Sequence, residues 1–249
     1  MSRGPDLPET IPLFPLPGAV LMPRTRLPLQ IFEPRYLQMV EDVLKTPSRL
    51  IGMIQPAEGG LESLAAVGCA GRIVGFAELE GGRLMISLKA QSRFRLREVQ
   101  PGFTPYLRAE VDWTGYETDL ARDAEGDAGF ERTQFMARLT RYIALRGLSA
   151  DWDSAEASDD EMLVNSLAML LPLSPEEKQA LLECATLAER RMLLDGLMEY
   201  ALCGGDNEET IQCARPPKRK IADLTATCSR RWSARSAMRP CAMTPARRN

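Results

Sequence analysis

The sequence predicts an α+β protein, with an amino-terminal β-rich half holding one helix and a carboxy-terminal α-helical bundle. Three observations carry this expectation. First, the apolar stretch Ile11 to Tyr36 is broken by Pro12, Pro15, Pro17, Pro23, Pro28 and Pro34. Proline lacks an amide hydrogen and fixes φ, which excludes a long helix or a central strand there and favours short pieces that cross and turn. Second, apolar residues recur with period two in several segments up to Trp113, the spacing of half-buried strands. Third, beyond Thr118 the apolar spacing becomes helical and helix-start signals multiply. The expected division is a β-rich part over 1–117, a bundle over 118–205 and a disordered basic tail over 206–249.

Taken in order, PRYLQMVEDVLK (Pro34 to Lys45) has Tyr36, Leu37, Val40, Val43 and Leu44 at helical spacing, with Pro34 suited to the first turn and Pro47 ending the run. LIGMI (Leu50 to Ile54) predicts a short buried strand. RIVGFAEL (Arg72 to Leu79) and RLMISLKA (Arg83 to Ala90) flank Glu80-Gly81-Gly82, a hairpin signal. SRFRLREV places Phe94 and Leu96 on one face and Arg93, Arg95 and Arg97 on the other, and YLRAEVDW (Tyr106 to Trp113) alternates again. Short strands joined by tight turns predict a small mixed sheet or distorted barrel.

The acidic, small-residue segment DLARDAEGDAG reads as a linker. FERTQFMARLTRYIALRGL then aligns Phe135, Leu139, Tyr142 and Ile143 on one stripe, with Gly147 as a stop. Asp159 or Asp160 is placed to cap EMLVNSLAMLL, which ends before Pro172. SPEE (Ser174 to Glu177) and TLAE (Thr186 to Glu189) are capping-box patterns, the second opening a helix to about Leu202. Roughly four helices are expected.

Composition narrows the function. The chain has 249 residues, 45% hydrophobic and 26% charged, ordinary for a globular protein. The composition includes no histidine, which removes the commonest general base and zinc ligand. None of the six cysteines forms a C-x-x-C pair, so neither a metal site nor a disulfide framework is expected, and the thiols fit a reducing cytosol. No apolar run of about 18 residues predicts a membrane helix, and MSRGPDLPET lacks the apolar core of a secretory signal. From Cys213 onward the chain carries ten Lys/Arg against Asp223 alone, a local charge of +9; with 31 basic and 34 acidic residues in all, the preceding part stands at −12.

Motifs for chemistry are missing. There is no Gly-Lys dipeptide, hence no P-loop, and no G-x-S-x-G elbow. GCAGRIVG (Gly68 to Gly75) lacks dinucleotide spacing and reads as a tight turn entering a strand. Ser87 and Lys89 read as solvent-facing strand residues rather than a nucleophile and its base. The stripe Arg93, Arg95, Arg97 has two readings: a phosphate-contacting face, or a solvated strand face paired with acids such as Glu110. The acidic body favours the second.

IPLFPLPGAVLMPRTRLPLQIFEPRYLQMV resembles the opening of the Lon protease N-terminal, substrate-binding domain, whose strand-to-helix junction LPL-x-IFE-x-RY falls here on Leu27, Pro28, Leu29, Ile31, Phe32, Glu33, Arg35 and Tyr36. GCAGRIVGFAELEGGRLMISLKAQSRFRL (Gly68 to Leu96) is similar to a second block of that family. With the helical part to about Leu202, the likeness covers roughly four-fifths of the chain. It implies a PUA-like β pseudo-barrel followed by a helical bundle. The chain includes neither the AAA+ ATPase nor the Ser-Lys protease module of a complete Lon, so it is expected to be a stand-alone bacterial Lon-N-domain protein.

The function implied is a non-catalytic polypeptide- or protein-binding module without cofactor or metal. Its expected partners are unfolded polypeptide or a protein partner, with full-length Lon as one candidate, held in a groove between sheet and bundle. Candidate contacts are Phe32, Arg35, Tyr36, Arg72 and Phe76. Arg35 is expected to anchor the junction on carbonyls or an acid, and Phe32 and Tyr36 to be partly core. An RNA-binding PUA-like module is the alternative, and a cryptic peptidase the third.

Overall fold

A computed structural model describes residues 7–57 and 60–204. The basic tail, with the disorder expected of it, lies outside the described residues. Five strands close a ring, and a sixth, β2 (Arg26–Ile31), flanks it. In the ring, β1 (Thr10–Pro15) runs parallel to β3 (Leu50–Ile54). β3 pairs antiparallel with β6 (Val67–Leu79), β6 with β7 (Arg83–Gln100), β7 with β8 (Arg108–Asp112), and β8 returns to β1. A small hairpin, β4 (Pro56–Ala57) and β5 (Gly60–Leu64), lies between β3 and β6.

β7 is one continuous strand of 18 residues, not the two short strands predicted. Its first half pairs with β2 and its last third with β8 on the same side, while β6 runs along the other. Bulges at Ala70/Gly71 and Ile73/Gly75 bend β6 around it.

The ring has its own core: Ile11 and Leu13 of β1, Leu50 and Ile54 of β3, Ala70 of β6, Phe94 of β7, and Ala109 and Val111 of β8. Alternation along each strand sends these residues inward. Phe94 is wholly buried, and the strands beside it carry glycine where its ring passes. A Cβ on Gly68 would lie 2.5 Å from Phe94 Cζ and 2.6 Å from the Met53 carbonyl oxygen; one on Gly52 would lie 3.0 Å from Phe94 Cζ. GCAGRIVG is therefore part of a strand, its first glycine serving close approach rather than a turn.

The second, larger core lies outside the ring. Tyr36, Met39, Val40 and Val43 of α1 (Pro34–Leu44) pack with Leu27, Leu29 and Ile31 of β2 and Ile86 and Leu88 of β7. The same cluster continues into the bundle: α2 (Arg132–Leu145), α3 (Trp152–Ala157), α4 (Asp160–Leu170), α5 (Pro175–Glu183) and α6 (Leu187–Leu202). The predicted stripe Phe135, Leu139, Tyr142, Ile143 is buried in it. Burial of each Leu-sized side chain here stabilises the fold by about 1.5–3 kcal/mol. The additional helix is the six-residue α3, too short for a periodicity signal.

Caps follow the sequence closely. Asp159 accepts from the Met162 amide, and Ser174 and Glu177 form a complete capping box. Thr186 accepts from the Glu189 amide, but the Glu189 carboxylate takes the Ala185 amide, 2.9 Å, so the second box is only half made.

The proline-rich stretch is where ring and bundle meet. Pro12 falls inside β1, yet its ring replaces no ladder bond: the Leu13 amide faces β8, 2.8 Å from the Leu107 oxygen, so Pro12 faces the β3 side, where pairing begins only at Leu13. In β2 the Thr25 oxygen accepts from the Ala90 amide. Odd residues therefore face β7, and Pro28 points at the free edge, which it blunts. Between β1 and β2, Leu16, Val20, Leu21 and Met22 are buried, and bundle side chains hold the backbone: Asn165 donates to the Pro23 oxygen (3.0 Å) and Lys178 to the Gly18 oxygen (3.1 Å).

The acidic segment after β8 is tied down rather than free. It opens with a 3-10 turn, Glu117–Leu120, whose Asp119 is buried. The Glu125 amide donates to Glu161 (2.8 Å), Glu125 accepts the Leu187 amide (2.8 Å), and Asp127 pairs with Arg191 (2.6 Å). Charge and small residues there make helix-terminus contacts, a use that composition alone does not distinguish from a linker.

Candidate functional site

β2 ends at Ile31 and the chain turns through Phe32 and Glu33 into α1. Glu33 has extended backbone angles, φ −74° and ψ 132°, and its carbonyl accepts the Tyr36 and Leu37 amides while Pro34 occupies the first turn. The Glu33 side chain makes no cap hydrogen bond. It takes Arg35 instead, Nε and Nη2 each 2.9 Å from Oε2. Arg35 thus anchors the junction on an acid, and its guanidinium lies 4.6 Å from the Tyr36 ring centroid.

Tyr36 is 4% exposed and meets Phe14 edge-on, ring centroids 4.3 Å apart. Burial pushes its hydroxyl up to about 12, the nearby Arg35 charge opposing and Glu33 adding, so the phenol stays neutral near pH 7. Phe32 is 38% exposed. Of the two aromatics expected to be partly core, Tyr36 is core and Phe32 is shared with solvent.

Beside this junction runs an open groove of about 500 Å³. Pro15, Arg35 and Tyr36 line one wall; Val99, Pro101, Pro105 and Tyr106 are on the other. A smaller apolar hollow, bounded by Phe14, Leu29, Phe32 and Tyr36, adjoins it through Pro15 and Tyr36. The far wall is the β7–β8 connection. It is held to α1 by the Tyr106 hydroxyl, which donates to Asp42 Oδ2 at 3.0 Å, and stiffened by Thr104 donating to the Tyr106 oxygen. Exposed apolar side chains accompany these surfaces: Val99 lines the groove, Phe32 lines the hollow, and the fully exposed Phe103 sits in the far-wall loop between Gly102 and Thr104. The lining residues all come from the β-rich part. The groove is between sheet, α1 and the β7–β8 loop, and not between sheet and bundle as expected.

Of the five predicted contacts, the structure gathers Phe32, Arg35 and Tyr36 here. Arg72 lines a different concavity with Leu44, Lys45, Thr46, Pro47, Arg49, Ile73 and Val74, at the opposite end of α1, roughly 15 Å away for an 11-residue helix. Phe76, 58% exposed, lies on the outer part of β6. The sequence reading missed the loop wall; its signal was VQPGFTPY, whose prolines and glycine keep two aromatics out of a strand.

The arginine stripe is broken up. Arg93 is 1% exposed and pairs with Asp119 at 2.9 Å, whereas Arg97 lies on the surface against Asp112. Arg93 and Arg95 share the outer face, both guanidinium groups beside the Tyr116 ring, but the 3-10 turn and the end of α5 cover that face at Arg93, so neither the phosphate-contacting face nor the solvated face exists as a row of three. Ser87 is half-buried and Lys89 exposed on β7. Among the described residues no group of three potential metal ligands occurs, and no helix is long and apolar enough to cross a membrane.

Comparison with known proteins agrees with this architecture. The profile of the ATP-dependent protease La (LON) substrate-binding domain matches residues 10–199. The chain is 30% identical over 134 residues to Lon protease 2 of Sorangium cellulosum, covering 51% of the chain and 16% of that protein. It is 28% identical over 193 residues to the Lon protease of Roseiflexus castenholzii, covering 75% of the chain and 23% of that protein. The chain thus spans about a fifth of the length of these relatives. The crystal structure of a Lon N-terminal domain protein from Xanthomonas campestris superposes with a TM-score of 0.55 at 27% identity, over 77% of this chain and 98% of that one. With a ring of strands, a flanking strand that leads into the IFEPRY junction, a helical bundle packed outside the ring and a profile match over most of its length, the chain belongs to the LON substrate-binding domain family.

Proposed function

We propose that this domain binds extended, apolar segments of other polypeptides in the groove beside the β2–α1 junction, and performs no chemistry on them. The observation that supports this reading most is the pairing of a buried floor with an exposed rim. Tyr36 and Pro15 form an apolar base common to the groove and the hollow, while Val99 in the first and Phe32 in the second stand open to solvent. Exposed apolar side chains gathered on one concavity mark interaction surfaces, and a few such anchors supply most of the affinity of a complex. The Glu33–Arg35 pair at one end offers hydrogen bonds to a passing backbone. The lining includes no thiol, lysine or carboxylate placed as nucleophile or base. Family membership gives the same direction, since the matching profile is described as a substrate-binding domain.

The test is fluorescence anisotropy of labelled unfolded peptides, apolar-rich and polar, against the full chain. Apolar-rich peptides are expected to bind more tightly, and Phe32→Ser with Val99→Ser to weaken them about tenfold or more, about 1.4 kcal/mol or above. Equal binding of both peptide classes, or an affinity untouched by the double substitution, overturns the reading.

A further inference from the structure

The outer part of β6 is a strand edge without a neighbour. β3 pairs with β6 only from Arg72 back to Cys69, and the Ile73 amide takes the Arg49 oxygen at 2.9 Å as the last bond on that side. Beyond it, Val74 to Leu79 bond to β7 alone among the described residues. The ladder phase shows which groups are left open. Because the Ala90 amide faces β2, even residues of β7 face β2 and odd ones face β6. Gly75, Ala77 and Leu79, opposite Ser87, Met85 and Arg83, therefore bond inward. Phe76 and Glu78 direct their amide and carbonyl groups outward. Nothing blunts this edge as Pro28 blunts β2. Val74 and Phe76, 45% and 58% exposed, put apolar side chains beside it.

The charges along this edge are self-complementary. At its start, Lys45, Arg49 and Arg72 line a concavity of about 570 Å³ that no acidic residue lines. Arg72 Nε is buried there with no hydrogen-bond partner, and Arg49 is held at φ 52°. At its other end stand Glu78 and Glu80, both exposed, the first in the strand and the second in the turn. Two such edges laid antiparallel bring the acidic end of each to the basic end of the other, which is the condition a two-fold interface must meet.

We propose that two copies of this chain pair through their β6 edges, about a two-fold axis at Ala77. Phe76 of each copy lies opposite Glu78 of the other, and the two pairs exchange four backbone hydrogen bonds. Glu80 lies opposite the partner's Val74, beside the partner's Arg49 and the partner's Arg72. The two Phe76 rings are diagonal neighbours across the axis, within aromatic reach. Ala77 faces its own counterpart as a non-hydrogen-bonded pair, the closer of the two cross-strand arrangements. The interface is small, so the dimer is weak, with a Kd of roughly 10–100 µM. It leaves the groove at the β2–α1 junction open in both copies.

Sedimentation velocity on the full chain over a concentration series tests this. A concentration-dependent dimer is expected. Phe76→Lys, at an exposed position, and Glu80→Arg should each weaken it about tenfold or more, and Glu80→Arg combined with Arg49→Glu should restore it. Ala77→Cys should form an intermolecular disulfide under mild oxidation, identified by mass spectrometry as a β6 peptide joined to its own copy through position 77, since the facing Cα atoms fall within disulfide range. A chain monomeric at hundreds of micromolar overturns the proposal. So does a dimer indifferent to Phe76→Lys and Glu80→Arg, or one whose Ala77→Cys variant gives no such cross-link. A monomer whose β6 edge is protected from hydrogen exchange only by added peptide assigns the edge to strand addition by other polypeptides and overturns it as well.

Discussion

Arg93 and Asp119 meet in a two-pronged buried ion pair, with Nε 3.0 Å from Oδ2 and Nη2 2.9 Å from Oδ1, while the Arg93 amide donates to the same carboxylate at 2.8 Å. The remaining guanidinium nitrogen reaches the Leu182 and Cys184 carbonyls at the end of α5. One side chain thus joins the ring, the 3-10 turn and the bundle. Burial acts to lower the Arg93 pKa, but the Asp119 hydrogen bonds and charge prevail and raise it, so the guanidinium keeps its charge.

Removing one partner strands the other in a dry site. Arg93→Met and Asp119→Leu are each expected to destabilise the protein by about 3–5 kcal/mol, and the two changes combined by clearly less than the sum. Urea unfolding of the three variants checks this. Strict additivity would show that the two groups act separately.

Gly68 and Phe94 share one space inside the ring. Gly68→Ala is expected to cost about 1–3 kcal/mol through overpacking. Adding Phe94→Leu should return only part of it, because the Met53 carbonyl oxygen still stands 2.6 Å from the new Cβ. Thermal melts of the single and double variants measure both effects. A neutral Gly68→Ala would mean that the strands separate more freely than a closed ring allows.

Acid stability should register Asp112. Hydrogen bonds from the Thr114 backbone and side chain, then from Arg97, hold its carboxyl down at about 2 against an ordinary 3.8. The folded state binds this proton more weakly than the unfolded chain does. Its stabilisation is therefore complete above about 3.8 and lost as pH falls through about 2. Asp112→Asn is expected to flatten the stability curve between about pH 4 and about pH 2 while leaving its slope near neutrality unchanged. An unaltered acid limb would contradict it.

Three cysteines among the described residues differ in access: Cys69 buried, Cys184 half-buried and Cys203 exposed. Burial, then the Asp119 charge, pushes the Cys69 thiol up. Native-state alkylation resolved by peptide mass spectrometry should mark Cys203 within minutes and Cys69 only in denaturant. Equal labelling would show that β6 opens readily around Cys69.

What the sequence made legible follows from how local each signal is. Pro34, Ser174 and Asp159 act within one helical turn, so α1, α5 and α4 could be read off directly. The stripe Phe135, Leu139, Tyr142, Ile143 needs only its own helix. The junction Phe32, Arg35, Tyr36 was found because its residues are neighbours in the chain. Period two assigns Arg93 the right face, opposite Phe94, but only the fold shows that Asp119 and the end of α5 cover that face there. Asp119 sat in a stretch whose composition matched a linker, and its partner is 26 residues away. The groove's far wall was invisible because β8 brings it to α1 only when the ring closes. Arg72 and Phe76 belong to the second family-like block, yet they lie on a different part of the surface from the first.

Ring closure depends on Thr10 meeting Glu110, and Pro12 meeting Arg108. A ribosome releases the amino end first, so the first strand must wait while about a hundred further residues are made, roughly 5–20 s at ordinary elongation rates. The β6–β7 hairpin can assemble in that interval from neighbours in the chain, whereas Ile11 and Leu13 have nothing to cover them until β8 emerges. Nascent chains arrested before Arg108 should then be bound by chaperones through their opening segment, and released once elongation has carried β8 clear of the ribosome.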